Sequence, residues 1–208
     1  MKIIDISRTI AEDMVVYKDK QEKRPQIRVS RTLHEGANES VIALDSHTGT
    51  HADAFYHMMQ HGKKIHEIPL DKFMGQCVVL DMTHVNERIT AKDLQKCKIR
   101  KNEIVLLKTK KRLEKSFDYN FTFLEKSGAA YLAKLGVKLV GIDQLGIERA
   151  QPGHESHLTL FKKGIPIAEG LELSQVKEGK YLFIGLPLKV KNGDGAPVRA
   201  VLVQGKLN

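Results

Sequence analysis

The chain has 208 residues, 41% hydrophobic and 28% charged, which suits one folded domain with a substantial core. Its net charge of +9 is spread among 25 acids, and the densest basic run, KTKKRLEKSF at 108–117, contains Glu114 and no interleaved stacking aromatics, so a solvated basic surface is expected rather than a nucleic-acid face. The apolar runs are short, such as VVL at 78–80 and IVLL at 104–107, and fall far short of the ~20 residues a membrane span needs.

The N-terminus MKIIDISRTI lacks the apolar centre and cleavage site of a signal peptide. Cys77 and Cys97 are the only cysteines and have no CxxC spacing, so neither a disulfide framework nor a thiolate zinc site is implied. A cytoplasmic location is the expectation.

KIIDISRTI (2–10) reads as a first strand, followed by a polar loop over 12–26. IRVSRTLH (27–34) and ESVIALDSH (39–47) are β-type runs joined by EGAN, a turn composition, which predicts a hairpin. QCVVLDMT (76–83) and EIVLLKT (103–109) read as short buried strands. Between them Thr90, with Asp93 three residues on, suits the N-cap of a short helix over 90–97. EKSGAAYLAKLG (125–136) has apolar residues at helical spacing and Gly136 where a C-cap glycine belongs, and KLVGID (138–143) follows as a strand. YLFIGLPLKV (181–190), the turn NGDG and PVRAVLVQG (197–205) read as a long terminal hairpin. The sum is a mixed α/β single domain over 1–208, strand-rich with few helices.

The stretch HTGTHADAFYH at 47–57 carries three histidines and an aspartate. On a straight strand His47 and His51 would lie about 13 Å apart, too far for one ion. On a helix they would sit one turn apart, but Asp53 would point elsewhere. A bent segment brings all three together, and Gly49 supplies the freedom to bend, so a three-ligand site predicts a turn at 48–50. The pattern is not HExxH, since the general-base glutamate is missing. Nitrogen and oxygen donors without thiolate suit zinc or manganese. Isolated His34, His61, His66 and His84 are expected to be non-ligands.

HTGTHADAFYH resembles the HxGTHxDxPxH signature of the cyclase-like metal-dependent hydrolases, the group holding bacterial kynurenine formamidase and isatin hydrolase. The likeness extends to His157-LTLFKKGIPIA-Glu169-GLEL, with the family's histidine and glutamate twelve residues apart, to GID (141–143), and to the ending GLPLKVKNGDGAPVRAVLV. The resemblance implies a swivelling β/β/α fold. It implies that His47, His51 and Asp53 hold a first ion with Glu169, and that Asp53 and Glu169 bridge to a second ion held by His157 in members that use two. It makes His57 the proton shuttle, with Zn²⁺ or Mn²⁺, one or two ions per chain, as cofactor. His154, three residues before His157, is the rival ligand. The implied activity is hydrolysis of an amide, lactam or related cyclic acyl bond of a small molecule, in a homodimer or higher homo-oligomer. No GxSxG occurs and neither cysteine lies in a motif, so a covalent nucleophile is the weaker idea.

Departures from the family pattern leave the substrate open. Phe55 stands for the proline, no tryptophan is present, Tyr17 is the aromatic in MVVYKDKQEKRP, and QLGIER (144–149) replaces a serine-containing segment. Lys18 and Lys20, if they face the pocket, would suit a carboxylate-bearing substrate. The rival readings are a non-catalytic metal- or small-molecule-binding protein on the same scaffold, a cyclase or dehydratase using the same metal site, and a nucleic-acid binder.

Overall fold

The computed structural model describes residues 1–110 and 115–205. Residues 111–114 of the basic run, Glu114 among them, and residues 206–208 of the expected 1–208 domain lie outside the described residues. The chain opens with β1 (Lys2–Asp5) and, after a loop with short 3₁₀ turns, forms β2 (Gln26–Arg31) and β3 (Glu39–Ala43). Next come β4 (His51–Asp53), β5 (Met74–Asp81), β6 (Arg88–Ile89), helix α1 (Ala91–Leu94), β7 (Ile104–Lys108) and β8 (Phe123–Leu124). Helix α2 (Lys126–Leu135) leads to β9 (Leu139–Ile142), and helix α3 (Glu155–Phe161) to β10 (Ile167–Glu169). Strands β11 (Gly179–Ile184), β12 (Gly195–Pro197) and β13 (Val201–Gln204) complete the fold. It is mixed α/β and strand-rich, as expected.

Nine strands form one sheet in the order β1-β13-β11-β5-β7-β9-β10-β4-β12. Its middle, β5-β7-β9-β10, is parallel and its flanks are antiparallel. The parallel strands are buried along their apolar runs, β5 over 77–80 and Ile104–Leu107 and Leu139–Ile142 throughout, as strands covered on both faces are. Strands β12 and β13 lie seven strand spacings apart in that order, roughly 34 Å if the sheet were flat. Only residues 198–200 join them, a reach of about 15 Å. The sheet therefore curls until its two ends approach, and the β4-β12 end closes over the core.

Most local readings hold. Thr90 and Asp93 form a reciprocal capping box on α1. Helix α2 starts at the N-cap Glu125, which accepts from the Ser127 amide, and ends at Gly136 with φ +74°. The 27–47 hairpin forms as β2-β3, outside the main sheet.

Two readings change and a third gains a pairing. The first strand stops at Asp5 rather than running to residue 10. Helix α3 was not foreseen: it is seven residues long, and its N-cap His154 is left-handed (φ 45°) and makes no side-chain cap bond. The terminal hairpin is real: β11 pairs antiparallel with β13, and the same register continues to a Pro187–Val198 bridge. The chain reverses beyond it, with the Gly193 amide donating to the Val190 carbonyl at 3.2 Å, so NGDG lies at the turn as expected, although the regular first strand ends at Ile184. The tip of this hairpin departs from the sheet after β11, and on its return Gly195–Pro197 pairs with β4 at the opposite end. Among the described residues no helix is long and apolar enough to cross a membrane.

Candidate metal centre

The bend foreseen at Gly49 is present. Thr48 donates its amide to the Asp45 carbonyl at 3.0 Å, Gly49 takes φ +59°, and the rings of His47 and His51 come to 5.0 Å between centroids. Thr50 ties the bend to the second motif by donating its hydroxyl to the Gly170 carbonyl at 2.6 Å. After the bend, His51 and Asp53 share one face of β4, two residues apart. Pairing of β4 with β10 sets Glu169 opposite His51, and pairing with β12 sets Gly195 opposite Asp53. Helix α3 brings in His157 from above. Residues more than a hundred positions apart thus converge through three short strands and one helix.

The polar atoms fall into two groups that share both carboxylates. Asp53 Oδ1 is 2.9 Å from His47 Nδ1 and 3.4 Å from His51 Nε2, which is also 3.4 Å from Glu169 Oε2. The other oxygens, Asp53 Oδ2 and Glu169 Oε1, each lie 3.6 Å from His157 Nε2. Separations of 3.4–3.6 Å are long for hydrogen bonds. They match the edge of about 3.3 Å expected between ligands bound tetrahedrally to an ion at ~2.0–2.1 Å. His51 Nε2 and Asp53 Oδ2 are buried and have no hydrogen-bond partner, a costly arrangement unless something else satisfies them. The donor set fits a metal.

The outward ring nitrogens are held as well. His51 Nδ1 lies 3.2 Å from the Gly49 carbonyl, His47 Nε2 3.0 Å from Asp194 Oδ2, and His157 Nδ1 2.6 Å from Glu148 Oε1. Each imidazole is thereby aimed with its remaining nitrogen toward the two carboxylates, as outer acceptors aim metal-binding histidines. Neither Asp194 nor Glu148 was singled out from the sequence. NGDG reads as a turn and QLGIER only as a departure from the family pattern, so no local signal marked either acid.

Electrostatics follow from this crowding. Burial alone would lower the pKa of His47, but contact with Asp194 and Asp53 raises it to about 10; for His51 the same contest, with Asp53 and Glu169, ends at about 9. Burial and Asp53 would raise the pKa of Glu169, yet His157 and His51 bring it to about 2, and Asp53 is held well below the carboxylate range by His157, His47 and His51. Protons on the imidazoles thus supply the positive charge that two buried carboxylates require, the place a cation would take.

His57 stands apart. It ends a 3₁₀ turn, Phe55–His57, with its ring 4.1 Å from that of His47 and its Nδ1 3.6 Å from Asp194 Oδ2. Burial lowers its pKa, and the cationic rings of His47 and His157 add to this against the pull of Asp53 and Glu169. Phe55, in place of proline, is buried against Phe161 at 5.5 Å and leaves the turn intact. His154 does not reach the carboxylates; its side chain is 42% exposed and its Nδ1 is 3.3 Å from Glu148 Oε1. His34, His61, His66 and His84 lie outside these clusters.

Above the centre opens a cavity of about 230 Å³ whose floor includes His47, His57, His157 and Glu169. Val15, Tyr17, Met58 and Leu145 give it apolar walls, and Lys18, Lys23 and His154 stand at its margin. Of the two lysines considered from the sequence, Lys18 lines the cavity; Lys20 does not and lies 3.8 Å from Glu22.

A curled mixed sheet that delivers two histidine–carboxylate motifs beneath a small cavity is the architecture of a metal-centred enzyme. The chain belongs to the Cyclase family, whose model matches residues 4–149. A solved structure described as a potential metal-dependent hydrolase with cyclase activity superposes with a TM-score of 0.91 at 44% identity, covering 99% of each chain. Kynurenine formamidase of Bacillus thuringiensis subsp. konkukian is 30% identical over 96% of both chains. Isatin hydrolase A of Labrenzia aggregata, at 23% identity, TM-score 0.85 and coverage of 98% and 94%, shares the fold.

Proposed function

We propose that this protein is a metal-dependent hydrolase of a C–N bond in a small amide, lactam or related cyclic acyl compound. In this reading His47, His51, Asp53, His157 and Glu169 are the metal ligands and His57 is the proton shuttle. The observation that carries it is the sharing of Asp53 and Glu169 between two histidine groups, one oxygen of each carboxylate to each group. That sharing favours two ions over one, and an all nitrogen and oxygen donor set favours Zn²⁺ or Mn²⁺. Such ions, when bound, acidify water and polarise a carbonyl oxygen.

The remaining work falls to the chain. His57, with its pKa lowered by burial, is neutral near pH 7. It accepts the proton of the attacking water as the water oxygen bonds to the carbonyl carbon. It then returns that proton to the nitrogen as the C–N bond breaks. The cavity admits a small molecule, its apolar walls suit a flat carbon body, and Lys18 at the margin suits a carboxylate on it.

Elemental analysis is the direct test. Wild-type protein should carry one or two zinc or manganese ions per chain, and Asp53→Ala should carry none. Protein that takes up neither metal after incubation with both ends this reading; protein that holds metal but hydrolyses no amide, lactam or lactone ends the hydrolase part alone.

The protein also acts as a homo-oligomer in this reading. Every residue of β2 and β3 is exposed, including Val29 at 65% and Ile42 at 57%, and a lone two-stranded sheet is marginal in water unless something packs on it. Both cysteines are free, in keeping with a cytoplasmic location.

A further inference from the structure

Residues 147 and 148 grip both ligands of the second motif. The Ile147 amide donates to Glu169 Oε1 at 2.5 Å, and Glu148 Oε1 receives His157 Nδ1 at 2.6 Å. Glu148 is 3% exposed although it is an acid. Its partners account for that burial: His157 and, at 3.3 Å, His154 on Oε1, with the Ser156 amide at 3.0 Å on Oε2. The Ser156 bond is structural, since it supplies the start of α3 with the acceptor that the N-cap His154 does not provide. The His157 bond has a different consequence. In the neutral ring that would bind an ion, donation through Nδ1 leaves Nε2 bare and directed at Asp53 Oδ2 and Glu169 Oε1, and a charged acceptor makes that nitrogen a stronger donor.

We infer that Glu148 is a positioning residue for His157: it selects the ring's tautomer, aims its Nε2 into the centre, and so sets the metal affinity of the second motif. This rests on the proposed metal reading and goes beyond it, because Glu148, although it lines the cavity, meets His157 at Nδ1 and not at the Nε2 that faces Asp53 and Glu169. It also gives a role to QLGIER, where this chain departs from the family pattern.

The two roles of Glu148 separate in one variant. Glu148→Gln has the same shape, but one end of an amide donates rather than accepts, so it cannot serve the Ser156 amide and His157 Nδ1 together. Metal-free wild type, Glu148→Gln, His157→Ala and the double variant are titrated with Zn²⁺ and Mn²⁺ against a competing chelator, with urea melts alongside. Glu148→Gln should weaken metal affinity about 10- to 100-fold. In the His157→Ala background it should weaken it no further, because Glu148 acts through that ring. Wild-type affinity in Glu148→Gln, or an equal loss with and without His157, overturns the inference while the metal reading stands. Wild-type protein that binds neither ion overturns the metal reading, and this inference with it.

Discussion

Gly170 directly follows Glu169 and lies against the bend that carries His47 and His51. A Cβ added there would sit 2.0 Å from the Gly49 carbonyl oxygen and 2.9 Å from its carbon, so backbone must move by about 1 Å to reach even a tight contact. Gly164 is a matched control: it has the same φ of +66°, but a Cβ there meets nothing within 4 Å. Gly164→Ala therefore measures the left-handed backbone cost alone, about 1 kcal/mol. Gly170→Ala adds the displacement and should cost about 3 kcal/mol or more. Because the shift separates Glu169 from His51, it should also weaken metal binding, and an active-site misplacement near 1 Å can lower turnover ~100-fold. Urea unfolding and metal titration on both variants test the argument. Gly170→Ala no less stable than Gly164→Ala, with wild-type metal affinity, would refute it.

Metal uptake should strengthen steeply with pH. His47 and His51, with pKa values raised to about 10 and 9 in the metal-free cluster, must each lose a proton to bind an ion, so affinity should rise tenfold or more per unit between pH 6 and 8 and level off above them. A pH-independent affinity over that range would contradict the assignment. His57→Gln should lower kcat by about 10²- to 10⁴-fold with metal content unchanged; loss of metal would make His57 a ligand instead. Lys18→Gln should raise KM for a carboxylate-bearing substrate and leave kcat alone, and an unchanged KM would remove Lys18 from substrate binding. Val29→Asp with Ile42→Asp, on exposed positions of β2 and β3, should leave a folded monomer by light scattering; an unchanged oligomer would place the interface elsewhere.

The parts legible in the sequence are those encoded within a few neighbouring residues. Gly49 between two histidines announces a bend, Thr90 with Asp93 announces a capped helix, and the apolar runs of β5 and β7 announce buried strands. Helix α3 escaped because its start depends on Glu148, a residue outside the helix, and on a left-handed His154. Asp194 escaped for a similar reason: NGDG lies at its expected turn, and a glycine-rich turn with an acid has the same local chemistry whether or not it carries that acid to His47.

By itself the sequence determined the donor inventory: which imidazoles and carboxylates are available, where the chain must bend to gather the first three, and that no thiol or serine motif competes. Only the tertiary structure decided how they meet. The pairing of β4 with both β10 and β12 in a curled sheet sets Glu169 beside His51 and brings Asp194 against His47, and the loop before β2 leaves Lys18 at the cavity and Lys20 outside it. Such pairings join residues more than a hundred positions apart. Their energy comes from burying the whole sheet, and local residue types carry no record of which distant partner that burial will bring.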